Sequence, residues 1–529
     1  MDRFELPIAG DAMREVLLAP VTYSRSPLHV QGTCEAPPEV VETHISWVAL
    51  AGALAYKVKK PVRYDFLDYE TLQRRREACE VELKLNQRWA PEIYLGLSRL
   101  VRTADGVFLD ADGEVIDYAV RMRRFNREDE LDALVARRAV EPEAITMLAQ
   151  MVADQHEHAP VAPPAVNAPL NVRHFAEQNL DWLLGVAGGV EAKALREWTS
   201  RQWSELEHLL KRRQVLGRVR ECHGDLHCGN VVQFAGRLTP FDGIDFDPRL
   251  RYIDVASDVA FLVMDLECRG RPDLAMTCLS AWLERSGDYD ASACLRFFLV
   301  YRALVRAKIA RLRGDQVGEP SASVAREEAE RYIAEAHACK DRTARALVLM
   351  HGYSGSGKSI LAAKLVPELP AITVRADIFR PRVAVEEVGD PSASALNAGR
   401  YSSANTIRTY QALAAAAAGL LSAGCTVIVD ATFLDKHRRG QFRTLGSRAG
   451  VPVVIVDCLA PVEVLRDRIA GRKNDPSEAT AAVLQDQLSL GGGLDDAEKG
   501  MAVPVRTDEG TSAREVAMLV RKLSGGRSR

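Results

Sequence analysis

The chain has 529 residues, with 69 Lys and Arg against 72 Asp and Glu, so its net charge is −3. Hydrophobic residues make up 47% and charged residues 27%, a globular composition that excludes a chain disordered throughout. At roughly 150 residues per domain, this length predicts three to four folding units. The near-neutral charge gives no sign of bulk nucleic-acid or membrane binding.

Residues 1–16 contain several acids and no apolar core, so we expect no signal peptide. The sequence has no uninterrupted apolar run of about 18 residues, and we therefore predict no transmembrane helix. Its ten cysteines include no Cys-x-x-Cys pair, which argues against a disulfide framework or a structural zinc site. These features predict a reduced, cytoplasmic protein with no membrane partner.

Residues 45–60 predict two short strands, the second of which ends in a cluster of lysines. Alternation along a strand places Lys57 and Lys59 on one face, with Lys60 on the other. A strand lysine that pairs with a helix glutamate is the usual holder of ATP phosphates in kinases. The long helix predicted over residues 68–89 offers Glu77, Glu80 and Glu82, of which we favour Glu82.

The segment HGDLHCGN, residues 223–230, has the spacing of a phosphotransfer loop. Asp225 stands five residues before Asn230, so its carboxylate can face a substrate hydroxyl while the Asn230 amide oxygen faces a metal ion. A second metal-binding acid follows in FDGIDF, as either Asp242 or Asp245. Mg²⁺ held by such residues bridges ATP phosphate oxygens and neutralises the charge that develops in transfer.

This loop resembles the H-G-D-x-x-x-x-N motif of the aminoglycoside phosphotransferase and choline kinase group, over about residues 30–310. The resemblance implies an α+β protein-kinase-like domain that uses ATP and Mg²⁺. It implies Asp225 as the base and Lys57, in its A-x-K context, as the ATP lysine. The distance from the preceding turn favours Asp242 as the second metal ligand, whereas the local sequence Ile-Asp-Phe, which matches that of the family, favours Asp245.

Three further features of this region bear on function. Asp254 and Asp258 match the helix start that braces the loop, where N-capping and structural hydrogen bonds are expected. No G-x-G-x-x-G precedes the lysine strand, so Thr43–Ser46 would have to cover the phosphates. This departure leaves open a non-catalytic kinase-like module. A helical stripe, expected either to receive an anionic substrate or to be solvated, contains Arg302, Arg306 and Arg313.

A change in composition divides the chain near residue 344. Residues 312–344 are polar, begin with Gly, Pro and Ser, and predict a charged helix over 324–338. We therefore expect one domain over residues 1–315, a linker helix over 316–342 and a second domain over 343–529.

The segment GYSGSGKS, residues 352–359, matches the phosphate-binding P-loop pattern G-x-x-x-x-G-K-S between an apolar strand and a helix. Its backbone N–H groups can surround phosphate oxygens, Lys358 reaches the β and γ phosphates, and Ser359 holds Mg²⁺. The predicted phosphate-binding residues are Gly352, Ser354, Gly355, Ser356, Gly357, Lys358 and Ser359.

The rest of this domain supplies the other groups that phosphate transfer needs. An apolar strand ends at Asp430, which suits contact with Mg²⁺ through water. Asp377, at the end of another predicted strand, can take the proton of an attacking hydroxyl, and Arg380 can fix the acceptor. Arg468 and Arg472, four apart on a predicted helix, would close over ATP as a lid or form a surface face.

This order of motifs is similar to that of polynucleotide 5′-kinases and of gluconate and zeta-toxin-type kinases, over residues 343–490. The resemblance implies an α/β domain with a doubly wound parallel sheet. The whole chain resembles bacterial proteins that fuse the two domain types. That implies two Mg·ATP modules, each acting on a hydroxyl of a sugar, an amino sugar or a nucleotide. Nucleic acid is expected only as a 5′-hydroxyl end, and the alternative is an ATP-binding regulator.

Overall fold

The structure is a computed structural model that describes residues 10–26, 37–64, 67–186, 189–316, 318–385, 403–471 and 481–525. The chain forms two compact units, each assembled from several segments. The first unit comprises Met1–Val140, Gln155–Val172 and Arg212–Asp258, and the second comprises Glu141–Asp154, Arg173–Lys211 and Val259–Arg529. Helices that precede residue 315 therefore cluster with the C-terminal region, and the boundaries expected from composition remain predictions.

The first unit contains a six-stranded antiparallel sheet in the order β1-β2-β3-β8-β6-β7. Its strands are β1 (Glu39–Glu42), β2 (Ser46–Ala51), β3 (Leu54–Lys59), β6 (Tyr94–Thr103), β7 (Gly106–Leu109) and β8 (Glu114–Arg123), with a separate pair β4 (Arg63–Tyr64) and β5 (Leu67–Asp68). Helix α1 (Gly10–Leu18) packs on the sheet through Met13 and Leu17. Helix α2 (Leu72–Trp89), N-capped by Thr71, confirms the long helix predicted there.

The remaining elements of the first unit are short and surround the HGDLHCGN loop. They are α3 (Leu131–Ala136), β9 (Val219–Glu221), β10 (Val231–Phe234), β11 (Arg237–Pro240), α7 (Pro248–Arg251) and β12 (Tyr252–Asp254). Strand β9 pairs with β12, and β10 forms a hairpin with β11. The loop thus leaves one strand pair and enters another, which fixes both of its ends.

Most of the long helices follow the six-stranded sheet in the sequence. They are α4 (Pro142–His158), α5 (Ala168–Val186), α6 (Gly189–Val215), α8 (Val255–Cys268), α9 (Pro272–Ser286), α10 (Ser292–Gly314) and α11 (Ser321–Lys340). The predicted linker helix is present as α11, and it packs along α10 with Ala329, Tyr332 and Cys339 buried. Among the described residues, no helix is both long and apolar enough to cross a membrane.

The arginine stripe on α10 is only partly solvated, and its role towards an anionic substrate stays a prediction. Arg302 is buried, and its guanidinium lies 4.7 Å from the centre of the Phe261 ring. Arg306 pairs with Glu328 of α11 at 3.3 Å, and Arg313 pairs with the same carboxylate. Arg302 and Arg306 are thus not solvated, whereas the Arg313 side chain is 51% exposed although it pairs with the same acid of α11.

The second unit contains a five-stranded parallel sheet in the order β14-β15-β13-β16-β17. The chain starts at the central strand, winds to one side and then to the other, which confirms the doubly wound α/β sheet. The strands are β13 (Leu347–His351), β14 (Ala371–Arg375), β15 (Thr426–Asp430), β16 (Val453–Leu459) and β17 (Ala502–Arg506). The helices are α12 (Lys358–Glu368), α13 (Ala376–Val385), α14 (Ser403–Ser422), α15 (Lys436–Ala449), α16 (Val462–Ala470), α17 (Ala481–Leu490), α18 (Asp496–Lys499) and α19 (Ala513–Leu523).

A buried ion pair between α15 and α18 makes a stability prediction. Arg439 and Glu498 each expose 1% of their side chains and form two hydrogen bonds, of 2.8 and 2.7 Å. Because Arg439→Met leaves the Glu498 carboxylate buried without its partner, we expect unfolding free energy to fall by about 3–5 kcal/mol. Urea denaturation measures this loss, and Arg448→Met at an exposed position of α15 is the matched control. Equal stabilities of the two variants would contradict the prediction.

Candidate functional site

Two lysines of β3 share one carboxylate of α2. The Lys57 ammonium lies 2.8 Å from Glu82 Oε1, and the Lys59 ammonium lies 2.6 Å from Glu82 Oε2. All three side chains are largely enclosed, with 14%, 0% and 1% exposed for Lys57, Lys59 and Glu82. Burial alone would raise the pKa of Glu82, but the two ammonium groups lower it to about 2. Glu82 is therefore ionised at neutral pH and fixes both lysines.

The other two glutamates of α2 considered from sequence lie apart from this cluster. Glu77 accepts a hydrogen bond from Gln73, and Glu80 pairs with Arg76 at an exposed position. The structure thus brings Lys57 together with Glu82, the partner favoured from sequence, and adds Lys59 to the same carboxylate.

Each lysine also binds an acid of the FDGIDF segment. Lys57 lies 2.6 Å from Asp242 Oδ1, and Lys59 lies 2.5 Å from Asp245 Oδ2. The Asp242 side chain is 47% exposed, whereas that of Asp245 is 8% exposed. Burial alone would lower the pKa of Lys57, but Asp242 and Glu82 hold it well above its ordinary value. The two acids between which the sequence does not decide thus differ in access to solvent.

Backbone contacts hold Asp242 in an uncommon conformation. Its φ of +59° is left-handed, where non-glycine residues are rare. The N–H of Asp242 donates to the Tyr94 hydroxyl at 3.1 Å, and the N–H of Gly243 donates to Asn86 Oδ1 at 2.8 Å. Such positions cluster at functional sites. Sequence reasoning missed Asn86 and Tyr94, which have no motif of their own.

Asp225 and Asn230 meet within the HGDLHCGN loop. The Asn230 amide nitrogen donates to the Asp225 backbone oxygen at 3.0 Å and to its carboxylate at 2.9 Å. The Asn230 amide oxygen is then the atom that remains to bind a cation. The Asp225 carboxyl group is 35% exposed and is also approached by His227 at 3.4 Å. A solvent-accessible carboxylate next to an amide oxygen is the arrangement expected from the spacing.

Asp258 of α8 holds this loop in place through hydrogen bonds, as expected from sequence. Its carboxylate accepts the backbone N–H groups of His223 at 3.1 Å and Gly224 at 2.9 Å. His156, which sequence reasoning missed, lies 3.0 Å from the same carboxylate. Asp254 instead forms a buried two-point ion pair at 2.7 and 2.8 Å with Arg213. Both acids therefore have structural partners.

The low pKa of Glu82 predicts acid sensitivity. Because its folded value of about 2 lies below its ordinary 4.5, it stabilises the fold fully above pH 4.5. That contribution, roughly 3 kcal/mol, is lost as the pH falls from 4.5 towards 2. We expect the urea-unfolding free energy of Glu82→Gln to change less over this window than that of the wild type. The exposed Glu80→Gln should follow the wild type, and parallel profiles for all three proteins would contradict the assignment.

In the second unit, the predicted phosphate loop follows β13 and leads into α12. Gly355 has φ of +84°, and a Cβ there would lie 2.7 Å from the Leu465 backbone oxygen, so the turn requires glycine. The Lys358 ammonium donates to the Tyr353 backbone oxygen at 2.8 Å. Most of the predicted loop residues line a cavity of about 1100 Å³, namely Ser354, Gly355, Gly357, Lys358 and Ser359.

Two oxygen donors suited to a magnesium ion lie at the base of this cavity. Asp430 ends β15, is 5% exposed, and accepts a hydrogen bond from Ser359. Burial raises the pKa of Asp430, while Ser359 and the Lys358 charge act in the opposite direction. Hydroxyl and carboxylate oxygens are hard ligands of the kind that Mg²⁺ prefers. The residues predicted to hold this ion therefore fit it chemically.

Arg468 of α16 contacts the phosphate loop itself. Its guanidinium donates to the Gly355 backbone oxygen at 3.3 Å and to Thr507 at 3.0 Å. The Thr507 hydroxyl in turn donates to the Ser356 backbone oxygen at 2.8 Å. Arg468 also lines the cavity, so a contact with nucleotide stays a prediction. Arg472, predicted on the same helix face, lies outside the described residues.

The cavity extends from the phosphate loop to a second group of polar side chains. Asp377 and Arg380 line this part, and Asp377 lies on the first turn of α13 rather than at the end of a strand, while the roles of both residues stay predictions. Arg438, which sequence reasoning missed, places its guanidinium 4.4 Å from the centre of the Tyr410 ring. Gln487 is a further missed residue, because its side chain accepts the Ser354 N–H at 2.9 Å and donates to the Ser354 hydroxyl at 3.1 Å.

Comparison with known proteins finds a family match for one segment before residue 300 and for one segment after residue 346. The family model described as a phosphotransferase enzyme family matches residues 88–298, and the one described as an AAA domain matches residues 347–490. The first match begins after Lys57 and Glu82. The expected order, a phosphotransferase domain of kinase fold followed by a P-loop domain, is thereby confirmed.

Relatives of similar length exist in mycobacteria. Uncharacterized proteins of Mycobacterium tuberculosis and Mycobacterium bovis are each 32% identical over 472 residues, covering 85% of this chain and 91% of theirs. Among solved structures, a choline/ethanolamine kinase family protein from Mesorhizobium loti is 13% identical. It covers 62% of this chain and 98% of its own, with a TM-score of 0.38.

Proposed function

This chain is a kinase of the family to which its mycobacterial relatives belong, and we propose that both its phosphotransferase domain and its P-loop domain transfer phosphate from ATP to a hydroxyl group. The observation that carries the proposal is that each domain holds a largely enclosed lysine, oxygen atoms of the kind that bind a metal ion, and a further carboxylate that reaches solvent or lines the cavity. Nucleotide binding alone requires no such carboxylate, whereas general-base catalysis needs a group that accepts the proton of the attacking hydroxyl.

In the phosphotransferase domain, two backbone hydrogen bonds join the catalytic loop to the segment that contains Asp242. The Phe241 N–H donates to the Asn230 backbone oxygen, and the Ile244 N–H donates to the His223 backbone oxygen, both at 2.9 Å. Asp242 thus directly follows a residue that is hydrogen-bonded to Asn230, and its side chain is far more exposed than that of Asp245. This geometry supports Asp242 rather than Asp245 as the second metal-binding acid.

Within that arrangement, each group has a distinct task. Lys57 binds ATP phosphate oxygens, and Glu82 keeps its ammonium in place. Lys59 and Asp245 form the enclosed pair that anchors the metal-binding segment to the sheet. Asp225 accepts the proton of the acceptor hydroxyl. Magnesium, when bound by Asn230 and Asp242, supplies positive charge that stabilises the transferring phosphoryl group.

In the P-loop domain, Lys358 and the loop N–H groups bind the β and γ phosphates. Ser359 and Asp430 would hold magnesium, which would supply the same stabilising positive charge here. Asp377 accepts the proton of the attacking hydroxyl, and Arg380 orients the acceptor. The large cavity accommodates a nucleotide together with a small acceptor such as a sugar, an amino sugar or a nucleotide 5′-hydroxyl.

The test is transfer of labelled γ-phosphate from Mg·ATP into a metabolite extract supplemented with a 5′-hydroxyl oligonucleotide. We expect at least two labelled products, one lost in Asp225→Asn and the other lost in Lys358→Ala. Loss of a single product in one variant only would leave one active domain. Tight ATP binding without any labelled acceptor would refute phosphate transfer and favour the ATP-binding regulator.

A further inference from the structure

Helix α9 belongs to the second compact unit, although it lies in the segment that the phosphotransferase family model matches. It packs against β14 of the parallel sheet. The Thr373 N–H donates to the Ser280 hydroxyl oxygen at 3.0 Å, and the two hydroxyl oxygens are 2.9 Å apart. Nearby, the Tyr289 ring lies 4.8 Å from that of Phe379 on α13. The segment matched by one family therefore supports the strand that precedes Asp377 and the helix that carries both Asp377 and Arg380.

One of these contacts reaches the acid expected to bind magnesium. Arg375, the last residue of β14, pairs in the parallel register with Asp430, the last residue of β15. Its Nη1 lies 2.6 Å from Glu284 Oε1 of α9, whereas its Nε lies 3.6 Å from Asp430 Oδ2. The Nε is buried and makes no hydrogen bond among the described residues. Arg375 is thus bound closely by Glu284 and only loosely by Asp430.

We propose that Glu284 is a positioning residue for the metal site of the P-loop domain, because it holds the Arg375 guanidinium away from direct contact with Asp430. This inference rests on the proposed role of Asp430. A guanidinium and a carboxylate attract each other strongly at short range, and the attraction grows as water is excluded. An Arg375 released from Glu284 would close the 3.6 Å separation and compete with Mg²⁺ for the same carboxylate. Glu284, which lies in the segment matched by the phosphotransferase family, thereby contributes to a metal site that the P-loop motifs alone do not complete.

The experiment measures affinity for a non-hydrolysable ATP analogue in the full-length chain while Mg²⁺ is titrated. Binding that Lys358→Ala abolishes is assigned to the P-loop site. For Glu284→Gln, we expect the Mg²⁺ concentration that gives half-maximal enhancement to rise roughly 10- to 100-fold, the range seen when the surroundings of a metal ligand are disturbed. Affinity without Mg²⁺ should remain as in the wild type.

A double variant separates positioning from general damage. In Glu284→Gln with Arg375→Gln the competing guanidinium is gone, so the Mg²⁺ requirement should return to that of Arg375→Gln alone. The matched control is Arg285→Gln, which breaks an exposed ion pair with Asp154 at the next residue of α9. An unchanged Mg²⁺ requirement in Glu284→Gln, or a double variant worse than Glu284→Gln, would overturn the inference alone. If the affinity of the wild type for the ATP analogue at this site did not depend on Mg²⁺, both the inference and the proposed role of Asp430 would be overturned.

Discussion

Asp225→Asn is expected to slow phosphate transfer by the phosphotransferase domain about 10²- to 10⁴-fold, the usual contribution of a general base. The substitution keeps the size of the side chain and its ability to accept the Asn230 amide hydrogen bond of 2.9 Å. It removes the basic oxygen that would take the acceptor proton. ATP affinity should change little, because Lys57 and Glu82 lie on other elements. Single-turnover transfer to the acceptor found in the extract, with ATP affinity measured separately, tests both statements.

The matched control is Asp112→Asn, which removes a carboxylate from an exposed loop of the same unit. It should transfer phosphate at the wild-type rate. If Asp225→Asn also kept the wild-type rate, Asp225 could not be the base. A fall in ATP affinity as large as the fall in rate would instead indicate that the loop had lost its shape.

Lys358→Ala is expected to lower transfer by the P-loop domain about 10²- to 10³-fold, the range for removing one preorganised group that stabilises transition-state charge. The Lys358 side chain is 8% exposed and folds back onto the Tyr353 backbone oxygen. Its ammonium is therefore already held at the centre of the loop before phosphate arrives. Transfer that depends on Asp225 should be unaffected, since Asp225 lies in the other unit.

Rates of both labelled products, measured in the same reaction, separate these effects. Lys499→Ala removes an exposed lysine that pairs with Asp496 and serves as the control. Retention of both products in Lys358→Ala would exclude the P-loop lysine from phosphate transfer. Loss of both products would show that the two domains depend on each other.

Local patterns predicted those parts of the molecule that depend on neighbours in sequence. The phosphate loop, the Asp225–Asn230 pair and the strand and helix that carry Lys57 and Glu82 follow from spacing within about 30 residues. The parallel sheet follows from alternating apolar strands and helices.

Partners that depend on distant parts of the chain could not be predicted in this way. Lys59 binds Asp245, 186 residues away, and Gln487 binds Ser354, 133 residues away. Neither Lys59 nor Gln487 has a motif that distinguishes it from a solvated side chain. The pairing of Arg306 and Arg313 on α10 could not be predicted for the same reason, since their shared acid, Glu328, lies on another helix. Chemistry carried by a single loop is visible in the sequence, whereas chemistry assembled by packing is not.

The contact between Ser280 and Thr373 has a consequence for dividing the chain. Within the described residues, β14 is one of the two outer strands of the parallel sheet, and most of its side chains are apolar. Outer strands with unpaired N–H groups recruit other chains, and covering them is a common protection against aggregation. Here the Ser280 hydroxyl accepts one such N–H, that of Thr373. A fragment that begins at residue 343 would lose this cover, so its poor solubility would say nothing about whether its phosphate loop is intact.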